Sequence, residues 1–334
     1  MSFHRLFTIV SLLLLLNTSS LFAAPPSDEQ IQKVMIEAYD KYKTENSGKN
    51  ADYIKALAEV DSKLFGISIV TTEGKSYHVG DTDELFSIQS ISKVFTFAKT
   101  VEEHGAKKMQ ERIGVNATGL AFNSIIAIEH HGGSASNPFV NAGAIQAVSW
   151  VTAKDTAHRW KTIKANMDAF AGRILPFNDK VYESEVNDNK RNQAISKLLD
   201  AYGRMGSDPL EATTEYTKQC SVNVSSKDLA VMGATLANHG VNPITKTKVM
   251  QRNNTPYVLA VMQTAGLYDN AGDWLYDTGA PAKSGVGGGI LAIIPGKLAI
   301  GTFSPKLDTY GNSIRGQLAA KYIIEKLGLN PLAQ

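Results

Sequence analysis

The sequence predicts a mixed α/β (α+β) fold: an antiparallel sheet built from both ends of the chain, flanked by helices, with a helical lobe inserted between its two parts. Two apolar runs joined by turn residues lie near the start, at 66–79, and two more lie near the end, at 289–303. From about residue 91 to about residue 279, apolar residues recur mostly at helical spacing. Strands at both ends around a helical middle indicate one sheet with an insertion.

Residues 1–24 form the first element, a predicted signal peptide. Arg5 precedes an apolar run that extends from Leu6 to Leu16. A run of that length is too short to span a bilayer, which needs about 20 residues. We therefore expect export to the periplasm, with cleavage after residue 23 or 24 and no membrane segment in the mature protein. An uncleaved membrane anchor is the alternative.

The first helix and the first hairpin of the mature chain follow from local signals. Ser27 and Gln30 stand three positions apart, as in a capping box, and begin a stretch with helical periodicity. The run Gly66–Val70, a turn at 73–74 and the run Lys75–Val79 then predict a β-hairpin.

The last strands and the last helix are predicted in the same way. The runs Gly289–Ile294 and Lys297–Phe303 flank a Pro-Gly turn at 295–296, so they form a second hairpin. The segment from Ser313 to Leu327 has apolar residues at helical spacing and is predicted to close the chain as a helix.

The mature chain, residues 25–334, is predicted to form a single catalytic domain. The sheet part covers about 25–90 and about 280–334, and the helical lobe covers about 91–279. After residue 50, no long proline- or serine-rich linker separates independent units.

Composition and charge exclude several classes of protein. The chain has 334 residues, 43% of them hydrophobic and 20% charged, with a formal net charge of +2. These values are typical of a globular protein, and no basic stripe indicates nucleic-acid binding. The single cysteine, Cys220, excludes an internal disulfide and a thiolate metal cage. His130 and His131 are adjacent and would diverge on a helix, so we expect a solvated helix end there, and no metal or cofactor.

A Ser-x-x-Lys motif, Ser90 and Lys93, is the first candidate for chemistry. On a helix this spacing places the lysine amine one turn from the serine hydroxyl. If burial lowers the pKa of the lysine, its neutral amine can accept the serine proton. Backbone N–H groups at a helix start can also stabilise an oxyanion. Taken alone, the motif fits an ordinary capped surface helix better, because it is common by chance.

A second motif makes a catalytic role for Ser90 and Lys93 the better interpretation. Lys283, Ser284 and Gly285 precede the glycine-rich run 286–289, just before the last hairpin. Ser-x-x-Lys followed by Lys-[Ser/Thr]-Gly on a terminal strand is the signature of serine β-lactamases and penicillin-binding proteins. Glycines on an edge strand would let a substrate approach the backbone, and a bulge without a ligand is the alternative.

Three longer strings carry a more specific resemblance: Phe86–Val94, Asn137–Ile145 and Ala282–Ile290. With shorter matches between them, over about residues 30–328, they closely resemble the serine-dependent glutaminase family. The resemblance implies a β-lactamase/transpeptidase-like fold and hydrolysis of L-glutamine to L-glutamate and ammonia, through a serine acyl-enzyme and without a cofactor. Members usually form homodimers or homotetramers. They are typically intracellular, so the predicted leader is a departure from the family pattern.

The resemblance also implies a role for each candidate residue. Ser90 resembles the nucleophile, Lys93 its activating partner, and Tyr268 a tyrosine that shares proton transfer with them. The backbone N–H groups of Ser90 and Val286 resemble an oxyanion hole, and Lys283, Ser284 and Gly285 support the site. The implied substrate contacts are Gln89, Asn141, Glu185, Asn192, Tyr216, Tyr268 and Val286.

The chemistry of glutamine is compatible with this set. Its α-ammonium group needs an anionic partner, which Glu185 supplies, and its carboxylate needs donors such as Asn192. Without the resemblance, Asn141 could satisfy only local backbone, and Tyr216 could be a half-buried core ring. Two other functions remain open at this point: a penicillin-interacting hydrolase, which a chromogenic β-lactam would detect, and a binder of amino acids without enzymatic activity.

Overall fold

Seven strands are present in the part of the chain that the computed structural model describes, residues 26–333, and the predicted signal peptide lies outside these residues. The strands are β1 (Gly66–Thr71), β2 (Ser76–Gly80), β3 (Phe86–Ser87), β4 (Asn223–Val224), β5 (Ala282–Gly285), β6 (Gly289–Ile294) and β7 (Leu298–Phe303). Five of them form one antiparallel sheet in the order β2-β1-β7-β6-β5.

The sheet joins the two ends of the chain, as predicted. Strand β1 pairs with β2 on one side and with β7 on the other, where Gly66 faces Phe303. Both predicted hairpins are confirmed, because β1 pairs with β2 and β6 pairs with β7. The predicted mixed α/β fold is thereby confirmed. Strand β5, which carries the Lys-Ser-Gly motif, is an edge strand.

Fourteen α-helices accompany these strands within residues 26–333. They are α1 (Asp28–Tyr42), α2 (Lys55–Ala58), α3 (Ser92–His104), α4 (Ala106–Arg112), α5 (Ile125–His130), α6 (Asn141–Trp150), α7 (Thr156–Ala171), α8 (Asp179–Val186), α9 (Lys190–Ala201), α10 (Pro209–Cys220), α11 (Ser226–Ala237), α12 (Thr255–Ala265), α13 (Ala271–Thr278) and α14 (Ile314–Lys326). None of these helices is both long and apolar enough to cross a membrane.

Both terminal helices begin at a capping serine, and the first of these caps was predicted. The Ser27 hydroxyl accepts the Gln30 backbone N–H, and the Gln30 side chain accepts the Ser27 N–H in return, which is the predicted capping box. Helix α14 begins directly after Ser313, whose hydroxyl accepts the Gly316 N–H. Each cap satisfies a backbone donor that the helix itself leaves without a partner.

Both faces of the sheet are covered, which explains why β6 is a continuous apolar run. Ala292 and Ile294 lie in a cluster with residues of α1 and α14, whereas Leu291 and Ile293 lie in the cluster that includes residues of α11. Helix α11 comes from the segment assigned to the lobe, so the terminal helices cover only one face. It crosses β7 closely: a Cβ at Gly301 would lie 2.4 Å from the Ser226 carbonyl oxygen.

A second, two-stranded sheet fixes the chain just before the Ser-x-x-Lys motif. Strands β3 and β4 pair in antiparallel fashion, and the Ile88 N–H donates to the Val222 carbonyl immediately afterwards. The Ser87 hydroxyl donates to the Cys220 carbonyl, at 2.7 Å. Residues 86–88 are therefore tied to the carboxyl end of α10, and this determines where Ser90 lies.

Candidate active site

A cavity of about 440 Å³ brings together most of the predicted site residues. Its lining includes seven of them: Gln89, Ser90, Asn141, Glu185, Asn192, Tyr216 and Val286. Lys93 and Tyr268 do not line this cavity themselves. Lys93 hydrogen-bonds to Asn141, and the Tyr268 ring packs against that of Phe122, with ring centroids 4.8 Å apart. The structure therefore places both beside the cavity wall.

Ser90 lies at a tight turn that leads into a helix. It belongs to the 3-10 turn Gln89–Ile91, and α3 begins two residues later. Gln89 has a left-handed backbone, with φ of 49°, which is uncommon for a residue with a side chain. Such backbone strain concentrates at functional sites. Ser90 therefore lies in a strained 3-10 turn, and Lys93 lies in the helix that follows it.

Lys93 is buried, and no carboxylate among the described residues is its hydrogen-bond partner. Its Nζ donates to Asn141 Oδ1 at 2.8 Å and to the Phe139 carbonyl at 3.1 Å, and both acceptors are neutral. Burial lowers the pKa of Lys93 to about 8, against the opposite effect of Cys220 and Glu185. An amine with this pKa is partly neutral near pH 7 and can accept a proton.

Asn141 connects three of the predicted residues at the start of α6. Its Oδ1 accepts both the Lys93 ammonium and the Tyr216 hydroxyl, the latter at 3.0 Å. Its Nδ2 donates to Asn192 Oδ1 at 3.1 Å. Asn141 therefore does more than satisfy local backbone, and the fully enclosed Tyr216 directs its hydroxyl towards this group. Burial raises the pKa of Tyr216 well above its ordinary value, so the phenol stays protonated as a donor.

Glu185, near the end of α8, supplies a carboxylate to the same cavity. Gln89 Nε2 donates to Glu185 Oε1 at 2.6 Å. Burial raises the pKa of Glu185 to about 7, although the bond from Gln89 and the charge of Lys93 act in the opposite direction. A cationic ligand in the cavity would favour the ionised carboxylate and lower this pKa.

Tyr268 is the second strained residue of the site. It begins a 3-10 turn with φ of 53°, and burial raises the pKa of its phenol. The Ser90 and Ser284 hydroxyls lie close enough to lower that pKa in part, but neither makes a well-aligned hydrogen bond. Among the described residues, Tyr268 Oη therefore has no hydrogen-bond partner. A buried phenol in this state is free to give its proton to a reacting group.

Strand β5 supports this arrangement from the sheet edge. Lys283 is fully buried, and its Nζ donates to the Gly266 and Ser284 carbonyls and lies 4.3 Å from the centroid of the Tyr268 ring. Burial and the charge of Lys93 hold the pKa of Lys283 well below its usual range. Lys283 thus contacts Tyr268, rather than lining the cavity where Ser90 lies.

The glycines after Lys283 have a purpose that differs from the predicted one. A Cβ at Gly285 would lie 2.7 Å from the Ile88 carbonyl oxygen, and a Cβ at Gly287 would lie 2.2 Å from that of Ser87. We expected these glycines to let a substrate approach the edge strand. In the structure, they let the edge strand approach the chain's own residues 87–88, next to Ser90.

The sequence motifs missed several residues of the cavity wall. Tyr53 is one of them, and 59% of its surface is exposed. Tyr53 stands alone in the sequence, with no spacing that links it to Ser90. The other residues that were not predicted are Ile54, Phe122, Asn123, Ser184, Asp188, Asn189 and Arg191. Ser184 and Arg191 stand beside Glu185 and Asn192, and that adjacency was the available signal.

His130 and His131 lie at a helix end, as predicted. His130 ends α5 and is exposed, and His104 ends α3 before Gly105. Across residues 26–333, no group of three or more His, Cys, Asp or Glu side chains is placed to hold a metal ion. The chemistry available at the cavity is that of a serine, an amine with a lowered pKa, a phenol and a carboxylate.

A Ser-x-x-Lys turn before a helix, together with Lys-Ser-Gly on the edge of an antiparallel sheet, defines the class: an active-site serine hydrolase of the β-lactamase-like fold. Comparison with known proteins identifies the family. The model of the family described as Glutaminase matches residues 48–331. This chain belongs to the glutaminase family, the amidohydrolases that convert glutamine to glutamate and ammonia.

Individual relatives agree with this assignment. The chain is 52% identical to a glutaminase of Colwellia psychrerythraea over 308 residues, which cover 92% of this chain and 99% of the relative. It is 48% identical to glutaminase 2 of Yersinia pestis, with 91% and 90% covered. Among solved structures, one described as a probable glutaminase has a TM-score of 0.90 at 44% identity, covering 91% of this chain and 99% of that one.

Proposed function

We propose that this chain hydrolyses the side-chain amide of L-glutamine through an acyl-enzyme on Ser90. The observation that carries the proposal is one cavity that presents Ser90, the Asn141 amide that holds Lys93, and the half-buried carboxylate of Glu185. A crystal structure of a protein called Mglu in its glutamate form, 36% identical with a TM-score of 0.84, covers 89% of this chain and 68% of that one. That relative's ligand supports glutamine as the substrate here.

The reaction then proceeds in two steps. Ser90 Oγ attacks the side-chain carbonyl carbon while its proton passes to Lys93, because the pKa of Lys93 lies near neutrality whereas burial raises that of Tyr268. The backbone N–H groups of Ser90 and Val286 stabilise the oxyanion. The carbon–nitrogen bond breaks as the Tyr268 phenol protonates the leaving nitrogen, which departs as ammonia. Water then attacks the ester and gives a proton back to the Tyr268 phenolate. The ester bond breaks as Lys93 returns its proton to Ser90 Oγ, and glutamate is released.

Substrate recognition in this proposal rests on charge. Glu185 binds the α-ammonium group, since its carboxylate lines the cavity and is held there by the Gln89 amide. Asn192 and Tyr216 are neutral donors for the remaining polar groups, with Gln89 and Asn141 as further contacts. Lys283, Ser284 and Gly285 support Tyr268 and residues 87–88.

Replacement of Ser90 tests the nucleophile directly. We expect Ser90→Ala to abolish ammonia release from glutamine while the thermal unfolding temperature stays unchanged, because one small hydroxyl contributes little to the core. Ser196→Ala, at another buried serine, is the matched control and keeps its activity. A chromogenic β-lactam should remain intact with every variant. Near-normal turnover by Ser90→Ala would eliminate the covalent mechanism.

Replacement of Glu185 tests the substrate. Truncating one partner of a desolvated charge pair costs about 2–5 kcal/mol, so Glu185→Gln should lower kcat/KM on glutamine by about 30-fold or more. The des-amino analogue lacks the ammonium group and should lose almost nothing. The measurement is kcat/KM for both proteins on both amides. Equal losses would show that Glu185 supports the site and does not bind the ammonium group.

We also propose that the protein is exported to the periplasm and assembles as a homodimer or homotetramer. The Arg5-flanked apolar run supports export, and the family resemblance supports assembly. Protein from the periplasm should begin at Ala24 or Pro25 by intact mass, and a soluble cytoplasmic form that retains Met1 would contradict export. Light scattering of the purified mature protein should give two or four times the mass of one chain, and a monomer would contradict assembly.

A further inference from the structure

The residue before the nucleophile holds an unfavourable backbone conformation. Gln89 has φ of 49°, and Cβ makes this left-handed region unfavourable for every residue other than glycine. Its conformation sets the direction in which the chain enters Ser90. Neighbouring groups must therefore hold Gln89 in this conformation, since an unrestrained chain would relax to an ordinary turn.

Ser92 holds the carbonyl of Gln89. The Ser92 hydroxyl donates to the Gln89 carbonyl oxygen at 2.7 Å, and the Ser92 backbone N–H donates to the same oxygen. Ser92 is fully buried, with no exposed surface, and it does not line the cavity. One residue thus supplies two donors to the carbonyl that follows the strained φ angle.

The side chain of Gln89 is held at its other end. Gln89 Nε2 donates to the Ser87 hydroxyl at 3.0 Å and to Glu185 Oε1 at 2.6 Å, which uses both hydrogens of the amide nitrogen. Ser87 in turn donates to the Cys220 carbonyl. A change in the Gln89 backbone would therefore displace both the nucleophile next to it and the contact that orients Glu185.

We propose that Ser92 is a positioning residue of this active site: its hydroxyl holds Gln89 in the left-handed conformation, and so places Ser90 for attack and keeps the Gln89 amide on Glu185. The inference rests on the proposed function, because the placement is for the hydrolysis of glutamine. It assigns Ser92 no contact with substrate.

The chain offers a matched control. Ser196 is also fully buried in a helix, and its hydroxyl donates to the Gln193 carbonyl three residues earlier, at 2.9 Å. It makes the same local bond as Ser92, but Gln193 lies in helix α9 and carries no left-handed backbone. An equal loss of kcat on replacing either serine would reflect only the removal of a hydrogen bond of this type.

The experiment measures kcat and KM on glutamine and the thermal unfolding temperature for Ser92→Ala and Ser196→Ala. We expect Ser92→Ala to lower kcat about tenfold, the size of effect that one lost hydrogen bond with released strain gives, and Ser196→Ala to change it less than twofold. Similar shifts in unfolding temperature are expected for both. An equal, small change in kcat for both variants would overturn the proposal.

Two further measurements separate positioning from a merely structural role. Glycine adopts the left-handed backbone freely, so Ser92→Ala should cost less than twofold in a Gln89→Gly background; a tenfold loss there would overturn the proposal. In a crystal structure of Ser92→Ala, Gln89 should leave the left-handed region, and an unchanged positive φ would overturn it too. The crystal structure tests the role of Ser92 whether or not the wild type hydrolyses glutamine. A wild type that fails to hydrolyse glutamine would refute the proposed function and not the positioning of Gln89 by Ser92.

Discussion

Two buried cations of the helical lobe differ in their partners, and the difference separates a structural charge from a chemical one. Arg159, on α7, donates to Glu215 on α10 at 3.1 Å, and the Glu215 side chain is fully enclosed. Lys93 is buried still more completely, and within residues 26–333 its only hydrogen-bond acceptors are the Asn141 amide oxygen and the Phe139 carbonyl. The ion pair of Arg159 with Glu215 links two helices. Lys93, whose acceptors are neutral, loses its proton readily.

Helix α10 carries both arrangements in adjacent residues. Glu215 faces α7, and burial raises its pKa despite the charge of Arg159. Tyr216, the next residue, directs its hydroxyl to Asn141 beside Lys93. A buried ion pair adds little net stability, but it is costly to break. A buried lysine with neutral partners is costly to charge, and its pKa falls as a result. The same environment of low polarity thus makes the Arg159–Glu215 ion pair costly to break and the protonated form of Lys93 costly to maintain.

Removing the amine of Lys93 should have the largest effect. Methionine matches the length of the lysine stem, so we expect Lys93→Met to lower kcat by about 10²–10⁴-fold, the range of a general base. The unfolding temperature should stay the same or rise, because the enclosed charge is gone. Ammonia release and thermal unfolding measure the two quantities. A marked loss of stability would show that Lys93 is structural, as Arg159 is.

Breaking the ion pair should show the reverse behaviour. Arg159→Met leaves the Glu215 carboxylate buried and uncompensated. This should lower the free energy of unfolding, measured by urea denaturation, by about 3–5 kcal/mol. The folded fraction should keep kcat/KM within about twofold, since Arg159 lies outside the cavity. The control is the double variant Arg159→Met/Glu215→Leu, which removes both charges and should recover most of the loss. If the double variant does not recover stability, the loss in Arg159→Met comes from packing and not from the uncompensated charge.

Giving Lys93 a charged partner should convert the chemical arrangement towards the structural one. Asn141→Asp would place a carboxylate at the position 2.8 Å from Lys93 Nζ, and an opposite charge favours the protonated amine and raises its pKa. Less neutral amine is then present at each pH. The rising limb of the kcat profile that Lys93 sets near pH 8 should therefore move up by about one unit or more.

The control for that profile is Asn141→Ala. It removes the amide without adding a charge, so activity should fall while the limb does not move upwards. If Asn141→Asp leaves the limb in place, a group other than Lys93 controls the reaction over this range of pH. Tyr268→Phe would then be the next variant to measure.

Local signals in the sequence account for much of the fold. The runs at 66–70 and 289–303 have strand character and clear turn residues, and Ser27 with Gln30 is a complete cap. Strands β3 and β4 have two residues each, too few for any periodicity. Helix α11 is buried nearly all round, so its sequence has no polar face to show that it packs on the sheet.

The site was predictable to a smaller extent from the residues themselves. Spacing alone connects Ser90 with Lys93, whereas Glu185 and Asn192 were predicted through family resemblance. The left-handed backbones of Gln89 and Tyr268 were not predicted, because neither residue is a glycine or an asparagine, the types that usually mark this conformation. Tyr53 was missed because no spacing or motif in the sequence links it to the other residues of the cavity wall.

The pairing of β1 with β7 governs the order in which the protein can fold. Gly66 and Phe303 face each other, so the central pair of the sheet waits for almost the whole chain to be synthesised. Contacts between such distant residues carry a large loop-closure entropy and slow the folding of a domain. Until β6 and β7 arrive, the β1–β2 hairpin stands alone, and an isolated two-stranded hairpin is marginally stable in water. A nascent chain that lacks its last 40 or so residues would therefore leave this edge of β1 unpaired, and would need protection from aggregation until β7 pairs with it.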